Sequence, residues 1–344
     1  MMQVISPAPR EAWRGVIADD TEALPEHAPE WVDALCQVAP YVDASRLYSF
    51  SDGRRFVLPL VRRTGVTGIG GRGMSYPPSW GMGGLIGGGA DPDVIRAVLT
   101  DLRTMRSQRI SIRPDPRRFS HWAGAVDESL TLIKRRAHVI DLTGGAEAVM
   151  KRWNRSARRG VRVAERSCVR IEVDRSGELL DQYYALYLRS VDRWAKRQHE
   201  PRALAHWRAA RRDPLIKLQT ISDFLSKALI ITMAYVKDQP AYASITLLGQ
   251  TAHDTRSAMD VERVGSTGAG ELVQWTTLQL ACHHGCTAYH LGESGESKSL
   301  AYSKEKFGAE SIEYAEIKLE RLPYTRVDQS IRSIAKRTLG FRDV

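Results

Sequence analysis

The chain has 344 residues, 43% of them apolar and 26% charged, long enough for two domains that each bury a core. No run approaches the ~20 apolar residues of a membrane span, and four scattered cysteines are too few for a disulfide framework. The net charge of +10 exceeds what a folded enzyme needs. It fits either a polyanionic partner (nucleic acid, nucleotide or anionic lipid) or simple solubility.

Met1 to Trp13 carries no positive-then-apolar signal pattern, so the expected location is the cytoplasm, in keeping with the cysteine usage. Glu26 to Val38 reads as a helix and Arg46 to Arg63 as a hairpin turning at Asp52-Gly53. Gly68 to Gly89 holds ten glycines interleaved with Met74, Tyr76, Pro77, Pro78 and Trp80, a composition that no packed helix or strand tolerates. Asp91 to Met105 is a helix with proline in its first turn. Strands follow at Arg109–Arg113 and Leu130–Leu142.

Ala146 to Arg166 reads as one helix, followed by a strand at Val169–Val173 and a periodic helix from Gly177 to Ala195. Leu204–Arg211 is a further helical piece. A meander is expected at Leu229–Val236, Ala241–Leu248 and Thr255–Val261. Helix Glu271–His284, strand Thr287–Leu291, short helix Ala301–Phe307 and strand Ile312–Leu319 complete this half, with a helical tail at Asp328–Leu339. The order helix, strand, strand over 91–142 recurs over 271–319, as two related α/β units would produce.

Three segments carry chemistry. Lys151, Arg155, Arg158, Arg159, Arg162 and Arg166 fall on one face of the expected helix, opposite Val149, Trp153, Ala157 and Val161. Such a stripe suits a run of phosphates or is a solvated face. Gly265-Ser266-Thr267-Gly268-Ala269-Gly270 joins a strand to a helix N-terminus. There, free backbone N–H groups bind phosphate or a developing oxyanion, or the turn is a plain connection. The third segment, Tyr289 to Ala309, puts a strand, a glycine turn and a lysine-bearing helix together at a strand end.

In that segment Gly292, Leu300, Lys304, Phe307 and Gly308 stand in the order seen in the peptidoglycan-bridge Fem ligases and their acyltransferase relatives, which the chain resembles. The basic helix, the Gly270–Gly285 helix, the Pro59 hairpin and the glycine loop agree in place and character. Ser303 departs from the family, which has an aromatic there, and the helical-hairpin arm of some members has no room. The resemblance implies an α/β (α+β) fold of two GNAT-like acyltransferase domains in tandem, over 1–142 and 143–322. Together with this, the resemblance leads to the expectation that the tail, 323–344, is a helix able to pack back on the first domain. It implies that Lys304 sits at the reacting carbonyl.

The amine must lose a proton to Asp260, Glu262 or His290, and spacing singles out none of them. Tyr76, Trp80, Arg193, Arg197, Tyr242 and Tyr302 are the candidate substrate contacts. Lys151, Arg155, Arg158, Arg159 and Arg162, with Gly265, Ser266, Gly268 and Gly270, are the donor contacts. Cys282-His283-His284-Gly285-Cys286 gathers metal-ligand types, but a helix end splays them, so no metal is expected.

The expected activity is aminoacyl transfer from aminoacyl-tRNA to an amine, on a cell-wall precursor or a secondary metabolite. It needs no bound cofactor, and a monomer is favoured. An acyl-CoA-dependent N-acyltransferase, with Gly265–Gly270 on the pyrophosphate, is the alternative. A non-catalytic nucleic-acid-binding protein on the same fold is a third.

Overall fold

A computed structural model describes residues 2–63, 71–225, 228–325 and 328. The first elements are a strand, β1 (Met2–Ile5), and helices α1 (Arg10–Ala18) and α2 (Pro29–Val38). Short strands β2 (Tyr41–Asp43), β3 (Arg46–Phe50), β4 (Arg55–Leu58), β5 (Val61–Arg63) and β6 (Arg72–Met74) follow. Asp91 accepts the Val94 N–H at 2.9 Å and so caps α3 (Pro92–Thr104). Next come β7 (Arg109–Ile112), α4 (Phe119–Ala123) and the long β8 (Thr131–Asp141).

Beyond β8 stand α5 (Gly145–Arg152), α6 (Arg155–Arg166), β9 (Arg170–Asp174) and the 19-residue α7 (Leu180–Gln198). Helices α8 (Arg202–Arg212) and α9 (Leu215–Phe224) lead to the antiparallel meander β10 (Leu229–Val236), β11 (Gln239–Leu248) and β12 (Ala252–Met259). The short α10 (Val261–Val264) and long α11 (Ala269–His284) precede β13 (Ala288–Glu293), α12 (Lys298–Glu305) and β14 (Glu310–Glu320).

The chain forms two compact units. One comprises the residues up to Arg136 together with the segment returning from Ile312. Its strands run β2-β5-β6-β7-β14 and then the first part of β8, with a small separate sheet β1-β3-β4. Tyr48, Phe56, Ile95, Leu99, Ile110 and Ile317 form its core, each at most 2% exposed.

The other unit comprises Ala137–Ser311. Its strands run from the second part of β8 through β13, β12, β11 and β10 to β9. Ile140, Trp153, Leu278, Tyr289 and Phe307 centre its core. The helix–strand–strand order read in the sequence is present twice along the chain, as α3, β7, β8 and as α11, β13, β14. β14 pairs antiparallel with β7, and β8 pairs antiparallel with β13.

Several elements differ from expectation; β6 (Arg72–Met74) is a paired strand inside the glycine-rich stretch that was expected to hold none, because its glycine lets it lie close against Ile110 of β7. The single helix 146–166 is two, α5 and α6, because Trp153 is extended and the Asn154 side chain caps α6 by accepting the Ala157 N–H at 2.8 Å. Lys151 is therefore on a different helix from the arginines. The third meander strand begins at Ala252 rather than Thr255, and Val261 opens α10 instead of ending the strand. Helix α9 has no counterpart in the sequence reading. The expected tail helix falls outside the described residues except for 323–325 and 328, as do residues 64–70 near the glycine-rich stretch.

Candidate active site

Strands β12 and β13 run parallel but pair at only two positions, Ala252 with Tyr289 and His253 with His290. Beyond these pairs the strands part. Asp254 is the next residue on one side and Leu291 on the other. Gly292, at φ +74°, breaks the register of β13 against β8 between His290 and Glu293. Across β12, the pairing with β11 slips between Ile245 and Thr246, leaving Thr255 as the extra residue of a bulge beside Asp254. The Thr255 hydroxyl fixes the bulge by donating to the Ile245 carbonyl at 3.0 Å.

Lys304 of α12 points into the mouth between the parted strands. Its ammonium donates to the Leu291 carbonyl, and a β-carbon on Gly292 would lie 3.9 Å from both the Lys304 Nζ and the Asp254 carbonyl oxygen. Burial lowers the Lys304 pKa, against the opposing pull of Asp254 and Glu293. Burial also pushes Asp254 up, to about 6, although Lys304, His253 and Arg256 hold it down. Tyr242 of β11 is pushed up to about 12 by burial and by Asp254. Its ring lies 3.3 Å from where a Gly270 β-carbon would be, at the start of α11.

The motif around Lys304 has a packing logic. Phe307 meets the Trp153 ring at a centroid distance of 4.7 Å, and Trp153 meets Trp275 at 5.9 Å. Gly308 takes φ +76°, and a β-carbon there would lie 3.1 Å from Arg152 Cβ. The Asn154 N–H donates to the Lys306 carbonyl at 2.9 Å. The same turn that ends α12 thus anchors the start of the basic helix α6. Lys306 pairs with Glu271 at 2.6 Å.

On α6, Ala157, Val161 and Ala164 are buried, while Arg155, Arg159 and Arg162 are exposed and Arg158 is half-buried. No carboxylate pairs with these four arginines among the described residues. Lys151 is exposed on α5. Arg193 of α7 is half-buried with its Nε sealed from solvent and unbonded among the described residues. Burial and Arg197 lower its pKa, and Tyr242 opposes them. Arg197 itself is exposed.

The remaining expected residues stand as follows. His290 is fully buried, its ring 6.0 Å from that of His253. Asp260 caps α10 and is paired with Arg189 and Arg263. Burial would raise its pKa, but those hydrogen bonds and charges bring it below the usual carboxylate range. Tyr302 is 62% exposed. Tyr76 and Trp80 are core residues of the other unit, where the Tyr76 hydroxyl donates to the Glu26 carbonyl at 2.6 Å and the Trp80 carbonyl accepts from Trp31 at 2.9 Å.

In the glycine turn, Gly265 and Gly268 have φ +44° and +73°, and Ser266 is exposed. Gly268 is pressed against the Gly160 backbone of α6. Cys286 is buried and donates to the Gly249 carbonyl at 3.3 Å. Among the described residues no cluster of His, Cys, Asp or Glu is placed to hold a metal. No described helix is long and apolar enough to cross a membrane.

Two parallel strands thus part around a lysine and a carboxylate, leaving a cleft between them. Residues 151–302, which contain that cleft's strands, match the family described as "Acetyltransferase (GNAT) domain". The fold of the chain as a whole is shared with FemX. The chain is 11% identical to FemX, over 92% of this chain and 97% of that one, with a TM-score of 0.69. It is also similar to the C-terminal domain of a putative lysylphosphatidylglycerol synthetase from Agrobacterium fabrum (12% identity, 96% and 95% covered, TM-score 0.51). L-PGS from Bacillus licheniformis follows with 13% identity, 97% of each chain covered and a TM-score of 0.50. No curated protein matches the sequence. Residues 151–302 thus have the fold of a GNAT acyltransferase domain.

Asp254 was missed in the sequence. Taking Thr255 as the first strand residue left Asp254 in a turn, and the bulge that re-aims this strand has no local sequence signature beyond a β-branched residue between two charged ones.

Proposed function

We propose that this protein transfers an aminoacyl group from aminoacyl-tRNA to an amine acceptor, a cell-wall precursor or a secondary metabolite, and so forms an amide. The observation that carries the reading is the Lys304 ammonium in the mouth between β12 and β13, held by the Leu291 carbonyl. An ester carbonyl entering that mouth develops negative charge on oxygen as the amine attacks. A half-buried ammonium there stabilises the tetrahedral intermediate far more than it would in water. The donor ester is already activated, so no nucleotide is consumed.

The unneutralised arginines of α6, anchored through Asn154 to the end of α12, support a long polyanionic donor. The relative named as a lysylphosphatidylglycerol synthetase carries an amino acid in its product's name, which agrees with an aminoacyl donor. The acyl-CoA alternative asks the Gly265–Gly270 turn to hold a pyrophosphate. Its tightest glycine is instead accounted for by packing on Gly160, and Glu271 already occupies the first turn of α11.

The test is an amide-forming assay read by mass spectrometry. Purified protein is incubated with lysine, ornithine, glucosamine or a muramyl pentapeptide, and with bulk aminoacylated tRNA or acetyl-CoA. Amide that requires charged tRNA and disappears with RNase is expected. Robust transfer from acetyl-CoA in RNase-treated protein would overturn the tRNA donor.

A further inference from the structure

A transfer to an amine needs a group that takes a proton from nitrogen, and the residues first considered for this are poorly built for it. Asp260 is paired with Arg189 and Arg263, which hold it ionised and engaged. His290 is fully buried in the paired part of β12 and β13, before the strands part. Asp254 is the first β12 residue past the last pair, beside the bulge at Thr255. One of its oxygens, Oδ1, is sealed from solvent and has no hydrogen-bond partner among the described residues. The Arg256 backbone N–H serves the carboxylate from its own strand.

We propose that Asp254 is the proton acceptor of the reaction, facing the acceptor nitrogen while Lys304 faces the carbonyl oxygen. This assignment rests on the acyl-transfer reading above. A neutral amine attacks the donor carbonyl, and its new C–N bond leaves a cationic nitrogen and an oxyanion. The Asp254 carboxylate removes one N–H proton. The oxyanion then reforms the carbonyl, the ester C–O bond breaks, and the proton on Asp254 returns to the departing oxygen. The products are an amide and the free hydroxyl of the donor, and both side chains end as they began.

The groups around the carboxylate fit this cycle. Lys304 of α12 and His253 and Arg256 of β12 draw the carboxylate toward ionisation, and Tyr242 of β11, Tyr289 of β13 and Tyr183 of α7 are near enough to feel its charge. Burial there raises the carboxyl to about 6, close to neutral pH, where a group both takes up and gives back a proton efficiently.

The experiment compares wild type, Asp254→Asn and Asp254→Glu between pH 5 and 9, with the donor and amine that yield amide in the assay above. For Asp254→Asn, kcat should fall ~10²–10⁴-fold with KM within about threefold, the range of general base catalysis. The acidic limb of the wild-type kcat profile should vanish in Asp254→Asn and return in Asp254→Glu. An unchanged kcat, or a reduced kcat that keeps the limb, overturns the assignment. Should Asp254→Asn fail to fold, ¹³C-carboxylate NMR of folded wild type decides. The Asp254 signal is expected to titrate well above the usual aspartate range, and an ordinary value overturns the proposal. Wild type that makes no amide from any pair overturns the acyl-transfer reading and this assignment with it. Active wild type with an indifferent Asp254→Asn overturns this assignment alone.

Discussion

Gly268 and Gly160 touch backbone to backbone: a β-carbon on Gly268 would overlap the Gly160 carbonyl oxygen and lie 2.8 Å from its carbon. Gly160, in turn, faces the Glu271 side chain at 2.6 Å from where its own β-carbon would be. These two glycines let α6 and the start of α11 approach closely enough to share one packing layer. Gly268→Ala must both displace a helix and hold a left-handed residue. It should cost ~2–5 kcal/mol of stability in thermal or urea unfolding. Gly285→Ala, also left-handed at φ +86° but with open space around it, should cost only ~1–2 kcal/mol.

Lys304→Ala should lower kcat ~10²–10³-fold, the effect of removing one oxyanion donor, with little change in donor affinity. Lys306→Ala is the control. It loses the partly exposed pair with Glu271, worth at most ~1 kcal/mol, and kcat should stay within about threefold. A rise in KM with kcat intact would make Lys304 an anchor for the donor's phosphate instead.

Asp254 should weaken the fold at neutral pH. Its carboxyl is raised from 3.8 to about 6, so between those values the folded protein holds a proton that the unfolded chain has released. That stabilisation is complete below the unfolded pKa and is lost as pH rises through about 6. Asp254→Asn should therefore raise stability at pH 7 by ~1–3 kcal/mol while leaving it nearly unchanged at pH 3.5. Unfolding curves at the two pH values measure the difference directly.

Replacing Arg155, Arg158, Arg159 and Arg162 by glutamate, singly and together, should weaken donor binding without unfolding the protein, because the buried face of α6 is untouched. If each contacts a phosphate, the slope of log affinity against log salt should drop by about one per lost contact. Fluorescence titration with charged tRNA over a salt series reads both. An unchanged slope would make the stripe a solvated face.

Beneath α7, Asp213 is 3% exposed and is bound at 2.8 Å by Lys217, at 2.9 Å by Arg256 and at 2.9 Å by Arg212. Burial raises its pKa, but the Arg256 and Lys217 charges outweigh it and leave the carboxyl well below the usual range. Its contribution is present at neutral pH and fades as pH falls below ~4. Asp213→Asn strands these cations and should cost ~3–5 kcal/mol, whereas Lys217→Met leaves Asp213 two arginines and should cost less. Chemical denaturation at pH 7 ranks the two.

Much of the candidate site's packing was readable because it is local. Lys304, Phe307 and Gly308 lie within one turn and its flank, and their spacing survives in the fold as lysine at the cleft, phenylalanine on Trp153 and glycine on Arg152. The break between α5 and α6 was also written locally, in Asn154 as a cap, yet the unbroken run of basic residues outweighed it. Asp254 was not readable, because a bulge depends on how β11 and β12 align rather than on either strand alone. Tyr76 and Trp80 looked available in a glycine-rich loop. That loop folds inward, and its glycines let the backbone pass close to Glu26 and Pro114.

The placement of β14 bears on how this protein is made. Glu316 of β14 binds Arg135 of β8 at 2.5 Å and lies 3.6 Å from Arg113, just past β7, so the strand sits between two partners synthesised nearly two hundred residues earlier. Until residues 310–320 emerge from the ribosome, those partners face a vacancy with bare hydrogen-bonding edges. The N-terminal sheet is therefore expected to close only after residues 310–320 are made, and protease resistance of nascent chains stalled before and after that point would show it.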